Sequence, residues 1–539
     1  MSRRLALCLL SCLAAACGES GSNVVDVGPL PADSGVVSLA DSGGPADAAS
    51  GPDAGDAGLA ADAEPSDISP VDAGPADGGS ATLVTVGEGR ELRGVWVATV
   101  SNLDFPTRAN LSPAQGRSAL SSIVTRTASA GLNAIFFQVR PESDALYRSS
   151  LEPWSRFLTG TQGQDPGYDP LGTLLELAHA QHIEVHAWVN PYRGLTSSNV
   201  AAAPNHVTQT LSSHAINYGG AVVMDPGAAP VRAHVLAVVR DLLEHYPVDG
   251  LHFDDYFYPY PDASNTPFPD TESWDAYTAG GGTLSRGDWR RDNVNALVRE
   301  TAALVQQLRP SVRFGISPFG IYKNGVPAGI RGLDAYATIY CDSVHWMQQG
   351  WVDYLAPQLY WPTTQTAQAY GTLASWWAST STGGRHIFPG HALSRLGSSA
   401  AWTASELQAQ IEITRGLRDQ HAEGDLHFSY RHLDQNLSGI YDLLSGNLYR
   451  SAALPPAVPR PLPIPAPPAV VARPGEIGID HPARSELSGF GLYRNVGGRW
   501  VLERVLASDA VSAPVAAGSY AVSALGPGDT ESLGAVIER

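Results

Sequence analysis

The sequence predicts an α/β fold of the eight-fold (β/α)8 barrel class, followed by a small all-β sandwich and preceded by a disordered tether. Between residues 86 and 454, eight short apolar, β-prone runs follow one another, mostly separated by stretches with helical spacing of apolar residues. That alternation is the pattern of a parallel sheet built from strand–helix units. Eight units over roughly 360 residues fit a closed barrel with long loops at one end. A doubly wound open sheet is the alternative, but no glycine fingerprint for a dinucleotide follows the first strand.

The elements follow in order. Arg3-Arg4 and the apolar run Leu5 to Ala16 have the plan of a secretory signal, too short to span a membrane. The run ends Leu13-Ala14-Ala15-Ala16-Cys17-Gly18, which resembles a bacterial lipoprotein signal over residues 1–17, with Cys17 the lipid-bearing residue and Cys12 a second match. An ordinary cleaved signal is the plainer alternative, and both readings place the protein outside the cytoplasm. Residues 18–85 are rich in Gly, Ala, Ser, Pro and Asp, hold twelve acids and no Lys or Arg, and cannot bury enough apolar surface to order themselves. Their role is a self-repelling tether. They account for most of the formal charge of -19 and leave the rest near about -7, ordinary for a soluble protein. The acidity argues against a nucleic-acid partner. Cys341 alone lies in the body of the chain, which excludes a disulfide framework there.

The expected barrel strands are 93–99, 133–139, 183–189, 250–253, 313–317, 354–359, 386–389 and 426–429. Helical spacing appears over 117–130, 171–182, 229–245, 291–308 and 405–421, with Asp169-Pro170 and Ser405 as start signals. Residues 455–469 are proline-rich and read as a stiff linker. Residues 470–539 show short alternating strands, read as a β-sandwich with a distant resemblance to a fibronectin type III module; a spacer is its simplest role.

In a barrel of this class the carboxyl ends of the strands converge on one face. Collecting residues there gives Asn102 and Asp104, then Gln138, Arg140 and Asp144, then Trp188, Asn190, Tyr192 and Arg193. The fourth strand adds Asp254, Asp255 and Tyr256, and the later ones Ser317, Pro318, Gln358, Tyr360, Trp361, His391, Ser429 and Arg431. The set is acidic, amide-bearing and aromatic. Aromatic faces stack on sugar rings, while amides and carboxylates bind hydroxyls; phosphate would call for a basic, glycine-rich loop.

Two adjacent carboxylates at the end of an apolar strand are costly to place there. Glycoside cleavage needs an acid for the leaving oxygen and a second group for the cationic transition state. Asp255 is the candidate acid, since a flanking carboxylate and aromatic surroundings raise its pKa. The second group is Asp254, Asp104, Asp144 or the substrate's own acetamido group. A helix cap or an ion pair is the plainer role for Asp254 and Asp255, and loop-fixing hydrogen bonds for Asp104, Asp144 and Arg193. His179, His182 and His186 read as surface and packing residues. No metal and no cofactor is expected, and no Gly-x-Ser-x-Gly elbow is present.

Glu91-Leu92-Arg93-Gly94-Val95-Trp96-Val97-Ala98-Thr99, Phe137-Gln138-Val139-Arg140-Pro141 and His186-Ala187-Trp188-Val189-Asn190-Pro191-Tyr192-Arg193 resemble the glycosyl hydrolase-like family 10 group. So do Asp249 to Pro259, Phe314 to Gly320 and Ala356-Pro357-Gln358-Leu359-Tyr360-Trp361-Pro362. The resemblance covers about residues 89–450. It implies a (β/α)8 barrel, an extracytoplasmic and often lipid-anchored setting, and hydrolysis of glycosidic bonds, in one branch those of peptidoglycan strands stripped of stem peptides. By position it makes Asp254-Asp255 the acidic strand-end motif and 190–193 and 358–361 cleft walls. Glu142 and His391 depart from the family pattern. An enzyme for an exopolysaccharide or scavenged polymer, and a non-catalytic glycan-binding lipoprotein, are the rival expectations. The partners expected are thus a polysaccharide and, through a lipid, the membrane.

Overall fold

The computed structural model describes residues 82–539. The expected signal over 1–17, with Cys17, and residues 18–81 of the expected tether lie outside the described residues.

The barrel strands are β1 (Leu92–Val97), β2 (Ala134–Arg140), β3 (Glu184–Val189), β4 (Gly250–Phe253), β5 (Arg313–Ile316), β6 (Tyr354–Leu355), β7 and β8 (Gly424–Phe428). β7 runs in two pieces, His386–Ile387 and Gly390–Ala392, on either side of Pro389. Its first piece pairs with β6 (Tyr354↔His386) and its second with β8 (Gly390↔Leu426), all parallel. One segment therefore joins both ends of the nine-piece sheet, and the ring closes as β8 pairs with β1 (Leu426↔Gly94). This closure rules out the open doubly wound alternative.

The helices include α1 (Pro113–Ser129), α2 (Pro170–His179), α3 (Ala229–His245), α4 (Arg286–Leu308), α5 (Ser343–Gln348), α6 (Tyr370–Ser379) and α7 (Ala404–Arg415). Ser112 and Gln115 form a reciprocal cap ahead of Pro113, and Asp169 accepts from the Gly172 amide at 2.9 Å. At α7 the cap is Thr403, which accepts from the Glu406 amide at 3.1 Å, rather than the expected Ser405. The excursion after β3 carries short antiparallel strands, Arg193–Leu195, Ala215–Tyr218 and Ala221–Met224, whose runs of three or four residues are too short to register as strands in the sequence.

Trp96, Phe136, Tyr354, Phe388 and Leu426 fill the barrel interior. Small residues make room for them: a Cβ on Gly250 would lie 2.3 Å from the His186 ring, and one on Gly315 2.2 Å from the Tyr354 ring. The interior also holds a polar thread. Burial depresses both His252 and His186, the latter to about 3, so both rings are neutral. The Trp96 indole N–H points at His252 Nε2 at 3.2 Å, which leaves the proton of that ring on Nδ1, 3.0 Å from the Tyr354 hydroxyl. Tyr354 in turn lies 3.1 Å from His186 Nδ1, and His186 Nε2 lies 3.0 Å from Glu184. The donor of each bond is thus fixed by the indole at one end. His179 lies 2.9 Å from Asp249, and His182 takes a left-handed turn (φ 56°), so the three histidines do not converge.

The C-terminal residues form two sheets over a separate core containing Ile477, Phe490, Leu492 and Val522. The larger sheet takes in Leu83–Val84, which pairs antiparallel with Gly534–Glu538 (Leu83↔Ala535). The proline-rich stretch is not a free spacer. The Pro456 carbonyl accepts from buried Arg313, Val458 N–H donates to the Gly528 carbonyl at 2.9 Å, and Arg460 meets Asp353 at 3.0 Å. Arg313, at the start of β5, is also paired with Asp529 and lies 3.4 Å from Glu184. The C-terminal sheets are thereby tied to the end of the barrel opposite the strand carboxyl ends.

Candidate active site

β4 ends at Phe253, and the two aspartates follow at the barrel mouth. Asp254 keeps the inward parity of His252, as alternation along a strand requires. It is 3 % exposed. Its Oδ2 accepts from the Trp188 indole at 3.1 Å and from the Asn190 amide, and its Oδ1 from the Tyr256 backbone N–H at 3.3 Å. Burial pushes its pKa up to about 7, against the pull of Arg193 and with the push of Asp255.

Asp255 is 1 % exposed and turns toward β6. It accepts from the Tyr260 hydroxyl and from the Gln358 side chain, and burial raises its pKa as well. Burial and the neighbouring carboxylate keep the Tyr260 phenol protonated. Gln358 also donates to the Ser317 carbonyl at 3.0 Å.

Above this buried pair the rim is partly exposed. It comprises Arg193, Tyr256, Tyr260, Gln358, Tyr360 and Phe428. The Arg193 guanidinium lies over the Tyr256 ring at 4.5 Å, Tyr256 meets Tyr260 edge-on at 5.6 Å, and Tyr360 stacks on Phe428 at 6.2 Å. The pair is held by amides, an indole and a phenol, with Arg193 on the rim. Among the described residues, no arginine forms an ion pair with it.

The structure thus brings together Asp254, Asp255, Trp188, Asn190, Arg193, Tyr256, Gln358 and Tyr360. The other expected site residues do something else. Arg140 is 1 % exposed; its guanidinium binds Glu152 at 2.8 and 2.6 Å and the Asn190 carbonyl at 2.6 Å, so it braces the loop. Asp144 is sealed, accepting from the Glu142 amide at 3.2 Å and from Gln162 at 3.1 Å, and burial with the nearby Glu142 raises it to about 7. Asp104 accepts from Ala98 N–H, Ser429 Oγ and Arg431 N–H at 2.7–2.9 Å, which pins the β1 loop to the end of β8; burial lifts it to about 6. Asn102 donates to the Pro106 and Phe157 carbonyls, both at 2.8 Å. Tyr192 and Trp361 belong to the outer hydrophobic core between strands and helices, because their positions turn them away from the mouth. Gln138 is fully buried, and its amide is consumed by Thr99, Val100 and Asn190. Glu142, set aside as a shared acid, is clamped by Arg156 at 2.7 Å.

Tyr260 and Phe428 are the site residues that sequence reasoning missed, Phe428 because it is the last residue of its strand. Tyr260 lies one position beyond Pro259 in the aromatic run that follows the aspartates, and that run was its only signal.

Residues 91–404 match the family model described as glycosyl hydrolase-like 10. The chain belongs to the glycosyl hydrolase-like 10 family. Its similarity to relatives extends well beyond the motifs. It is 37% identical over 383 residues to glycosyl hydrolase YngK of Bacillus subtilis (strain 168), covering 69% of this chain and 74% of that protein. It is 36% identical over 316 residues to glycosyl hydrolase DigH of Escherichia coli (strain K12), covering 54% of this chain and 71% of that protein. Among solved structures, the glycoside hydrolase domain of PgaB (BpsB) from Bordetella bronchiseptica aligns at 12% identity with a TM-score of 0.43, over 66% of this chain and 98% of that one. The catalytic domain of beta-amylase from Paenibacillus polymyxa aligns at 11% identity with a TM-score of 0.45, over 68% and 99%. As a member of the glycosyl hydrolase-like 10 family the protein is a glycoside hydrolase acting on a polysaccharide.

Proposed function

We propose that this glycoside hydrolase cleaves the glycan strands of bacterial peptidoglycan, and that Asp254 and Asp255 carry the reaction. The observation that supports the chemistry is the adjacent buried carboxyl pair under an aromatic, partly exposed rim. Burial raises both carboxyl groups and the charge of Asp255 adds to the rise of Asp254, so the pair keeps one proton toward neutrality. Hydrogen-bond partners decide where that proton sits. The donors to Asp254 are N–H groups of an indole, an amide and the backbone, none of which accepts in return, so Asp254 is favoured as the carboxylate. Asp255 faces a phenol hydroxyl, which can accept as well as donate.

Asp255 then protonates the glycosidic oxygen as the bond to the anomeric carbon breaks. Asp254 balances the positive charge that develops there, either directly or through an acetamido group of the substrate. Water then bonds to the anomeric carbon and gives its proton to the Asp255 carboxylate, which restores the pair. Tyr256, Tyr360 and Phe428 offer faces for sugar rings, and Arg193 moderates the charge of the pair. We also propose that the protein acts outside the cytoplasm, held at the envelope through a lipid on Cys17.

The test is digestion of purified, peptide-free glycan strands followed by mass analysis of the products, with D255N as the control. New reducing ends from the native protein and none from the variant are expected. If the native protein cuts an exopolysaccharide in a parallel panel and leaves wall glycan intact, the wall assignment fails.

A further inference from the structure

The structure assigns Gln138 a positioning role: it sets the orientation of the Asn190 amide so that a donor, and not an acceptor, faces Asp254. This rests on the reading of Asp254 as the charge-balancing carboxylate.

The inference starts from atoms whose sense cannot be reversed. Backbone N–H groups only donate. Those of Thr99 and Val100 point at the same oxygen of Gln138, at 2.8 and 2.9 Å. That atom is therefore Oε1, and the other end of the amide is the NH2 group. Nε2 lies 2.6 Å from Asn190, so the Asn190 atom it meets is the accepting Oδ1. Asn190 must then turn its own NH2 toward Asp254 Oδ2. Two side-chain amides that could each flip are thus locked in series by two main-chain groups of the β1 loop. Gln138 and Asn190 are both completely buried, so no exposed alternative relieves a wrong orientation. The Asn190 main chain is held independently, with Arg140 donating to its carbonyl at 2.6 Å and Glu152 gripping Arg140. Asn190 is left with neither backbone nor side-chain freedom. Gln138 touches no reacting atom and acts through Asn190.

The isosteric substitution Q138E tests this. The introduced carboxylate still accepts from Thr99 and Val100 but has no hydrogen for Asn190. Asn190 gains by flipping, and its oxygen then faces Asp254. The pair should hold its proton to higher pH. The expected result is that the alkaline limb of the kcat/KM profile moves up by about one unit and kcat near pH 7 falls at least about tenfold, with KM changed less than about twofold. N190A should move the limb in the same direction, and Q138E added to it should move it no further. A Q138E enzyme with the native pH profile, or additive shifts in the double variant, overturns the assignment. Should Q138E fail to fold, neutron diffraction on the native protein decides the matter, since an Asn190 oxygen facing Asp254 refutes the series directly. D254N separates the two readings: if D254N is fully active the role of Asp254 is wrong, and if it is dead while Q138E is normal only the role of Gln138 is wrong.

Discussion

The Trp188 indole nitrogen donates to Oδ2 of Asp254 at 3.1 Å, from the end of one barrel strand to the end of the next. An indole N–H has no accepting mode, so this bond favours the ionised form of Asp254 against the burial that opposes it. The division of labour between the two aspartates follows from that contrast. It separates by leaving group. D255N should lose at least about 10²-fold on natural glycan, yet retain much of its rate on an aryl glycoside whose phenolate departs without a proton. D254N should lose activity on both. Rates of the two variants on the two substrates check it, and equal losses of D255N on both exclude it as the acid.

Activity should fall as pH rises past neutrality, because burial raises both carboxyl groups, Asp254 to about 7, and Asp255 must keep its proton to act as the acid. A pH–rate profile of kcat/KM measures this directly. A flat profile from pH 6 to 9 contradicts it.

The same shift has a stability consequence of opposite sense to the usual paired carboxylate. The folded pair holds a proton up to about 7, whereas the unfolded chain releases it near 3.8. Between those values the native state binds more protons, so its stability drops as pH rises and then levels off above the folded pKa. D254N removes that penalty. It should therefore stabilise the protein more at pH 8 than at pH 4, by roughly 2–4 kcal/mol. Thermal unfolding of both proteins at the two pH values checks this.

The adjacency of Asp254 and Asp255 was legible in the sequence because an apolar strand ending in two acids has few structural uses. The barrel was legible because its strands are apolar on both faces and its helices carry long apolar stripes, as in Ala229–His245, whose bounds match the expected ones. What failed was direction. Tyr192 and Trp361 lie two and three positions beyond Asn190 and Gln358, where the chain has left the strand and its alternation no longer sets direction, and their rings enter the outer core. Arg140 reads as a substrate clamp until Glu152, twelve positions on, is seen to take it. Such pairings depend on where a loop returns, which the local pattern does not encode.

The barrel interior leaves no space at its glycines. A Cβ on Gly315 would lie 2.2–2.3 Å from three atoms of the Tyr354 ring, and that ring carries the bonds to His252 and His186. G315A should cost at least about 2–3 kcal/mol by overpacking. Urea unfolding checks the figure, and a variant as stable as the native protein means the ring moves freely.

Arg313 is 1 % exposed and shared between Asp529 and Glu184, so removing Asp529 leaves a buried cation with only its longer ion pair. D529A should cost about 3–5 kcal/mol. Replacing both residues with apolar side chains of matching volume should recover most of that loss, a comparison that unfolding of the single and double variants supplies.

The pairing of Leu83–Val84 with Gly534–Glu538 joins the first described strand to the last. A ribosome that has made the barrel has not yet made its fastening, because the edge for Leu83 and the carboxylate for Arg313 both follow the barrel in the chain. A chain cut short between the barrel and that edge should therefore be cleaved by protease faster than the intact one.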